Sequence, residues 1–263
     1  MRQEFKVYCG LIRMHLLAGL EYKGWWLMVL QVLFVVITDP IATFFLFSRF
    51  GSIGPWTLER IMLIYALAVT SFGIAESLLR GFDYFPWKMI RSGDFDRLLL
   101  RPRTLFVQVA GSFFHIHRLS RAAAGLAVIL WSLHRQGVTL NAAAGLILFF
   151  ALVGGTLMYC GVFVMSSGIA FFTIKALDWI YILTNASYQV TRCPVEFMPK
   201  ALYRAFTFFL PMLLISYYPA SAACGWGESV WKGCLALPAG GLFLLFSLLV
   251  WRVGVKHYKS TGS

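Results

Sequence analysis

The sequence predicts an all-α integral membrane protein with six transmembrane helices. Of its 263 residues, 59% are hydrophobic and only 13% charged, about half the charge of an ordinary soluble domain. The mean hydropathy of +0.74 comes with 24 Phe, 11 Tyr and 9 Trp, more apolar surface than one soluble core buries. The third observation is charge: 23 Lys and Arg oppose 11 Asp and Glu, a formal +12. On a soluble chain that would point to nucleic acid; among membrane spans it reads as basic cytoplasmic loops, and no nucleic-acid partner is expected. Five cysteines (Cys9, Cys160, Cys193, Cys224, Cys234) make an odd number without C-x-x-C spacing. Neither a disulfide framework nor a zinc site is inferred.

The first element is expected over residues 1–23. Arg2 and Lys6 could open a signal peptide, but Arg13, His15 and Glu21 interrupt the apolar run beyond them and no small-x-small cleavage site precedes Lys23. Phe5, Tyr8, Cys9, Ile12, Leu16 and Leu20 recur at helical spacing, with Arg2, Lys6 and Arg13 on another face. That pattern describes a helix lying in the membrane interface. A frayed basic tail is the bland alternative, and the persistence of the stripe over several turns argues against it.

A crossing helix needs about 20 apolar residues. Residues 25–47, 61–79, 142–164, 170–190 and 235–253 supply five. A sixth lies within 104–133, starting near Phe113, with Arg118 and Arg121 near an interface or facing protein. The stretch 206–223 is marginal in length, and Pro211 and Pro219 interrupt its helix hydrogen bonding. It reads as re-entrant, which requires burial against protein or a water-filled cavity. Charge supports six spans with both termini cytoplasmic. Of the 23 basic residues, only seven (Arg49, Arg60, Arg135, Arg192, Lys200, Arg204, Lys232) then fall outside and 16 inside. A seventh span would move Arg252, Lys256 and Lys259 outside and weaken the positive-inside bias.

No P-loop, G-x-G-x-x-G, H-E-x-x-H or G-x-S-x-G pattern occurs, so the chain carries no ATPase site and no signature of bond-making chemistry. His115 and His117 invite a metal reading, but two residues apart on a helix they would point to different faces, without an acidic or thiol ligand nearby. Asn185-Ala186-Ser187 matches a glycosylation acceptor only formally, since it sits inside a predicted span. Intramembrane carboxylates are costly and usually face protein or a water path. Asp39, Glu76 and Asp178 are therefore the candidates for a transport path. Asp178 lies three residues after Lys175 and could be neutralised by it on one helix face. Glu76 could simply reach the interface, and Asp39 has no local partner in the sequence.

Residues 80–103 form the densest polar segment. They alternate charge with large apolar side chains, which implies a short amphipathic helix that buries one face on membrane or a partner. Topological retention with Trp87 as an interfacial anchor would explain the basic residues but not Asp94 and Asp96. Leu98, Leu99 and Leu100 are expected to bury against the partner or this chain's own helices.

Three patches carry a family resemblance. They are Ile90-x-x-Gly93-x-x-Asp96-x-x-Leu99-Leu100-Arg101-Pro102; Pro194-x-x-x-x-Pro199 with Phe209-x-Pro211 and Tyr217-Tyr218-Pro219-Ala220; and Trp251-x-x-Gly254-x-x-x-Tyr258-x-Ser260-x-Gly262. In these the chain resembles permease subunits of ATP-binding cassette (ABC) transporters, the type-2 exporter class, and within it a bacterial group of transport system permeases. Cys193 before Pro194 and Arg103 after Pro102 depart from the group's pattern. The resemblance implies one six-helix domain over 24–263, with a coupling helix in the 80–103 loop and a re-entrant segment over 194–223. It implies a cytoplasmic ATPase dimer that binds ATP and Mg, this chain holding no cofactor or metal of its own. It also implies a second permease subunit, identical or homologous, in the lipids of the bacterial cytoplasmic membrane. Arg91, Gly93, Asp94, Asp96, Arg97, Leu99, Leu100, Arg101 and Pro102 would be the coupling residues, carrying ATP-driven movement into the first, second and fifth spans. Pro194, Pro199, Pro211 and Pro219 would form the outward gate. The aromatic-rich walls suit an amphipathic, lipid-like, peptide or drug cargo. An integral membrane enzyme acting on lipid head groups, or a non-catalytic membrane anchor, are the readings from other classes.

Overall fold

Local sequence explains where the helices of the chain start, break and stop. The computed structural model describes residues 2–21, 23–138, 141–173, 190–191 and 195–258. Helix α1 spans Arg2–Glu21. Helices α2 (Trp25–Thr38) and α3 (Ile41–Phe50) come next, so the first expected span is not one continuous helix. Pro40 lacks the amide that would continue the ladder, and the chain breaks at Asp39-Pro40. A two-residue antiparallel hairpin, β1 (Ser52–Ile53) and β2 (Trp56–Thr57), leads into the long α4, Leu58–Phe85. Helix α4 leaves helical geometry at Leu79 (φ −127°, ψ 26°) and then continues, so residues 80–85 are helix rather than the loop the sequence predicts.

A π-turn over Pro86–Ile90 closes α4, and α5 (Phe95–Leu99) and α6 (Leu105–Ala110) complete the connection. After a short turn at Ile116–Arg118 comes α7, Leu119–Arg135. The third helix thus starts at Leu119, six residues later than expected, and Phe113 belongs to the connection. Helix α8, Ala142–Ala170, is capped by Asn141, whose Oδ1 accepts the Ala144 N–H at 2.7 Å. It runs beyond the residue 164 at which the sequence ends this span. The expected span over 170–190 falls almost entirely outside the described residues. The last part holds α9 (Lys200–Arg204), a π-turn over Ala205–Phe209, α10 (Met212–Ile215), α11 (Tyr217–Cys224), α12 (Val230–Cys234) and α13 (Ala236–His257).

By length and composition, four described stretches can cross a membrane: Trp25–Phe50, Leu58–Ile90, Ala142–Ala170 and Val230–His257. Lys200–Phe209 and Met212–Cys224, bent by 67° at their junction, make a fifth if they count as one span. At 17 residues, α7 is about 26 Å long and a turn short of a full crossing. The chain is an all-α membrane protein.

Helix α4 forms the centre, 83% buried over its apolar window against 17% for Trp25–Phe50. On one side α7 packs along it; on another lies α8, which in turn lies along α13. The α8–α13 seam is built from small residues seven apart: Gly154, Gly161 and Gly168 on α8 meet Gly240, Ser247 and Gly254 on α13. A Cβ on Gly240 would stand 1.9 Å from the Gly154 carbonyl oxygen, and one on Gly154 only 2.2 Å from that of Ala236. A seven-residue repeat keeps one seam facing its partner, and small side chains let backbones touch where lipid supplies no hydrophobic drive.

Helix α1 docks through Glu4, Tyr8, Leu11 and His15, whereas Phe5, Met14, Leu17 and Leu20 are exposed. Of the expected stripe, Tyr8, Ile12 and Leu16 are partly buried while Phe5, Cys9 and Leu20 are exposed, so the protein-facing side overlaps it only in part. Tyr8 Oη donates to the Leu78 carbonyl at 2.6 Å, and Thr104 Oγ1 to Glu4 Oε2 at 2.9 Å.

Candidate coupling site

The segment after α4 is shaped by one glycine and one phenylalanine. Gly93 turns the chain with φ +77°, a conformation that costs other residues a steric clash, and so sets α5 back against the bundle. Phe95 is then fully buried. Its ring lies 5.3 Å from Phe85 of α4, 5.3 Å from Phe171 at the end of α8 and 4.7 Å from Tyr258 just past α13. Trp251 of α13 closes the cluster, 5.0 Å from both Phe82 and Phe85. Such edge-on aromatic pairs add about 0.5–1.5 kcal/mol each beyond burial. Five residues of helix are thereby tied to three long ones.

The leucines do not act together. Leu98 is buried on the same face as Phe95, while Leu99 is 47% and Leu100 86% exposed, so of the three only Leu98 buries against this chain's own helices. A five-residue helix has one inward face, and positions 95 and 98 occupy it. Arg91, Arg97, Arg101 and Pro102 are exposed with Leu99 and Leu100. Asp94 is held by Ser92 Oγ at 2.8 Å and Arg97 Nη1 at 3.0 Å, and these bonds, Ser92 first, lower its carboxyl below the ordinary range. Burial first, then the neighbouring Asp96 carboxylate, push the Tyr258 phenol up. Gln108 Nε2 ties the loop from within, donating to the Arg103 carbonyl at 3.0 Å. Among the described residues the segment thus meets α4, α8 and α13, the second, third and last of the long helices, rather than the first.

Glu76, on the next turn of α4 toward the membrane, is 1% exposed. Arg80 Nη1 donates to its Oε1 at 2.6 Å, Arg118 Nη1 approaches the same oxygen at 3.4 Å, and Arg121 Nε stands 3.5 Å from Oε2. Arg80 also reaches Asp83 at 3.3 Å and lies over the Tyr84 ring. A carboxylate this deep is tolerable only when paired, and here the pairing joins α4 to α7.

Asp39 sits at the α2–α3 break and receives the Tyr65 hydroxyl of α4 at 3.5 Å. Asp178 and Pro194 lie outside the described residues. Pro199 is exposed at the start of α9, Pro211 stands in the bent junction, and Pro219 is buried in the first turn of α11. Above them Trp56 Nε1 donates to Glu196 Oε2 at 2.5 Å and packs on Tyr217 and Trp226. His115 and His117 do meet, their rings 5.3 Å apart, because His115 is extended rather than helical. No group of three metal-type side chains accompanies them among the described residues.

The family model described as ABC-2 family transporter protein matches residues 33–262. The chain belongs to the ABC-2 transporter family. No curated protein and no solved structure gives a match. ABC-2 permeases are the membrane components of transporters, usually without an ATPase site of their own, and the family implies a partner ATPase and usually a dimeric membrane component. In this ABC-2 permease the sequence did not single out Phe95, although its spacing to Leu98 is that of one helix face. It also missed Arg80, Arg118 and Arg121 as partners of Glu76, although Glu76 and Arg80 stand in the i, i+4 ion-pair relation. Trp56 and Glu196, 140 residues apart, leave no local signal.

Proposed function

We propose that this ABC-2 permease is the transmembrane subunit of an ATP-driven exporter, and that the segment from Arg91 to Pro102 docks a cytoplasmic ATPase dimer. The observation carrying this reading is the two-sided character of α5. Phe95 is locked among α4, α8 and α13, with Leu98 buried on the same face, while Arg97, Leu99, Leu100, Arg101 and Pro102 are exposed at the outward side. A rigid wedge with an exposed charged and apolar face transmits force from a partner into the helices that hold its root. Asp94 and Asp96 give the face its negative charge, which orients docking.

Six spans result if α7 and residues 170–190 cross together with the four long stretches, both termini and the coupling segment then lying in the cytoplasm of a bacterium. Residues 1–23 lie in the interface, and 194–223 form a re-entrant outward gate whose Pro199, Pro211 and Pro219 set its bends together with Pro194. Asp39 and Asp178 line the path. Glu76 serves as a charge lock between α4 and α7. The cargo is an amphipathic, lipid-like, peptide or drug molecule, and a second permease subunit completes the pathway.

The test is an Asp94→Arg, Asp96→Arg double variant purified with its partners. Loss of ATPase co-purification, or of permease-dependent hydrolysis in liposomes, with this chain still inserted, is the expected result. Normal assembly and normal stimulated hydrolysis would overturn the docking role.

A further inference from the structure

The charge cluster around Glu76 carries more positive charge than its carboxylates use. Arg80, Arg118, Arg121 and Lys88 bring four cations to the bend-side end of α4, against Glu76 and Asp83. Lys88 belongs to the group because its Nζ lies 5.6 Å from the Tyr84 ring, the same ring that Arg80 covers at 4.9 Å; it is also 4.5 Å from Phe113. Two positive charges remain over, one on the largely buried guanidiniums and one on the exposed Lys88. Three guanidiniums offer fifteen N–H donors between them, yet Nε of Arg80 and Nε of Arg121 are buried without a hydrogen bond among the described residues. The side chains of Arg80, Arg118 and Arg121 are only 13%, 22% and 14% exposed.

Retention of a basic loop by membrane potential and anionic lipid explains exposed Lys and Arg. It does not explain guanidiniums withdrawn from water around two carboxylates. Buried surplus cations are stabilised by a counter-charge, and clustered arginines, with several parallel N–H groups each, match the oxygens of a phosphate group bidentately. The cluster lies between the apolar length of α4 and the π-turn that opens the polar segment.

We propose that Arg80, Arg118, Arg121 and Lys88 form a binding site for a phosphate-type oxyanion at the polar end of α4, with Glu76 and Asp83 fixing the guanidiniums. The headgroup of an anionic phospholipid and a soluble phosphate share this chemistry. Bound anion would clamp α4 to α7 and to the turn at Ile116–Arg118, next to the root of the coupling segment.

The experiment uses the full chain in nanodiscs of phosphatidylcholine, with or without phosphatidylglycerol, and separately in neutral detergent with or without inorganic phosphate. Thermal midpoint and lipid retained by native mass spectrometry are the readouts. Either phosphatidylglycerol or phosphate raises the midpoint, and which of them does so identifies the source. Arg118→Gln weakens retention about tenfold, the loss of one charge-assisted contact, whereas Arg103→Gln, in the exposed loop, changes nothing. Lys88→Gln, at an exposed position, carries the same test should Arg118→Gln fail to fold. A midpoint that tracks neither anion, or that tracks it equally in the Arg118, Lys88 and Arg103 variants, overturns the proposal.

Discussion

Tyr8 of α1 donates its hydroxyl to the carbonyl of Leu78, 2.6 Å away and 70 residues along the chain, at the residue before α4 bends at Leu79. A helix that departs from its ladder leaves a carbonyl short of its partner, and here α1 supplies the donor. The same helix walls a cleft of about 430 Å³ lined by Phe5, Leu79, Phe106, Leu157 and Leu244, so α1 meets the bundle through one directed bond beside loose apolar contact.

Tyr8→Phe removes that bond and should cost about 1 kcal/mol, read as a lower thermal midpoint in detergent. The bond also has a pH signature, because burial pushes the Tyr8 phenol up to about 12 while the unfolded phenol titrates near 10. A folded pKa raised above the unfolded one means stability fully present below about pH 10 and lost as pH rises toward about 12. Tyr8→Phe should lack this alkaline loss; an identical alkaline profile in both proteins would refute the assignment.

Arg80→Gln takes the closest partner from Glu76 and leaves Asp83 facing a neutral amide. Breaking a buried pair from one side costs about 3–5 kcal/mol, because the remaining charge stays buried. Arg97→Gln, whose side chain is 80% exposed on Asp94, should cost about 0–1 kcal/mol by comparison. Chemical denaturation of the two purified variants measures the contrast, and equal losses would show the Glu76 cluster to be solvated.

Gly240→Ala places a Cβ against the Gly154 backbone, whereas Gly241→Ala meets nothing within 4 Å. Overpacking of a tight seam costs about 1–3 kcal/mol, so the first variant should melt earlier and the second should match the parent. Thermal stability by size-exclusion chromatography decides between them.

Phe95→Ala and Leu100→Ala separate the root of the proposed coupling segment from its face. Deleting a fully buried Phe costs about 3–5 kcal/mol, so Phe95→Ala should destabilise the chain and lose stimulated ATP hydrolysis. Leu100, 86% exposed, should leave the chain's stability unchanged on truncation while weakening ATPase co-purification.

The membrane class, the long helices over 61–79, 142–164 and 235–253, and the polar segment with Gly93 and Asp96 were all legible from the sequence. They depend on length, hydropathy and spacing, which are local quantities. Pro40 was visible too, and its missing amide breaks the first span where the residue stands. The helix ends were less legible: α4 and α8 each continue past their hydropathic limits, because polar residues such as Arg80 and Ser167 meet Glu76 and the Phe82 carbonyl, partners that a window average does not see.

Sequence alone therefore determined that this chain lives in a membrane, which stretches can be helices, and which segment could face a partner, since solvation and helix geometry act residue by residue. Only the tertiary structure decided which side of each helix is inside. The side of α1 that docks is set by contacts with distant residues, among them the hydrogen bond to Leu78. Glu76 is a paired charge because Arg118 and Arg121 arrive from another part of the chain. Phe95, rather than the three leucines, anchors α5 because Phe171, Trp251 and Tyr258 converge around it from α8 and α13. Each is a pairing between residues far apart in the chain, and its energy exists only once the backbone has brought both partners within contact distance.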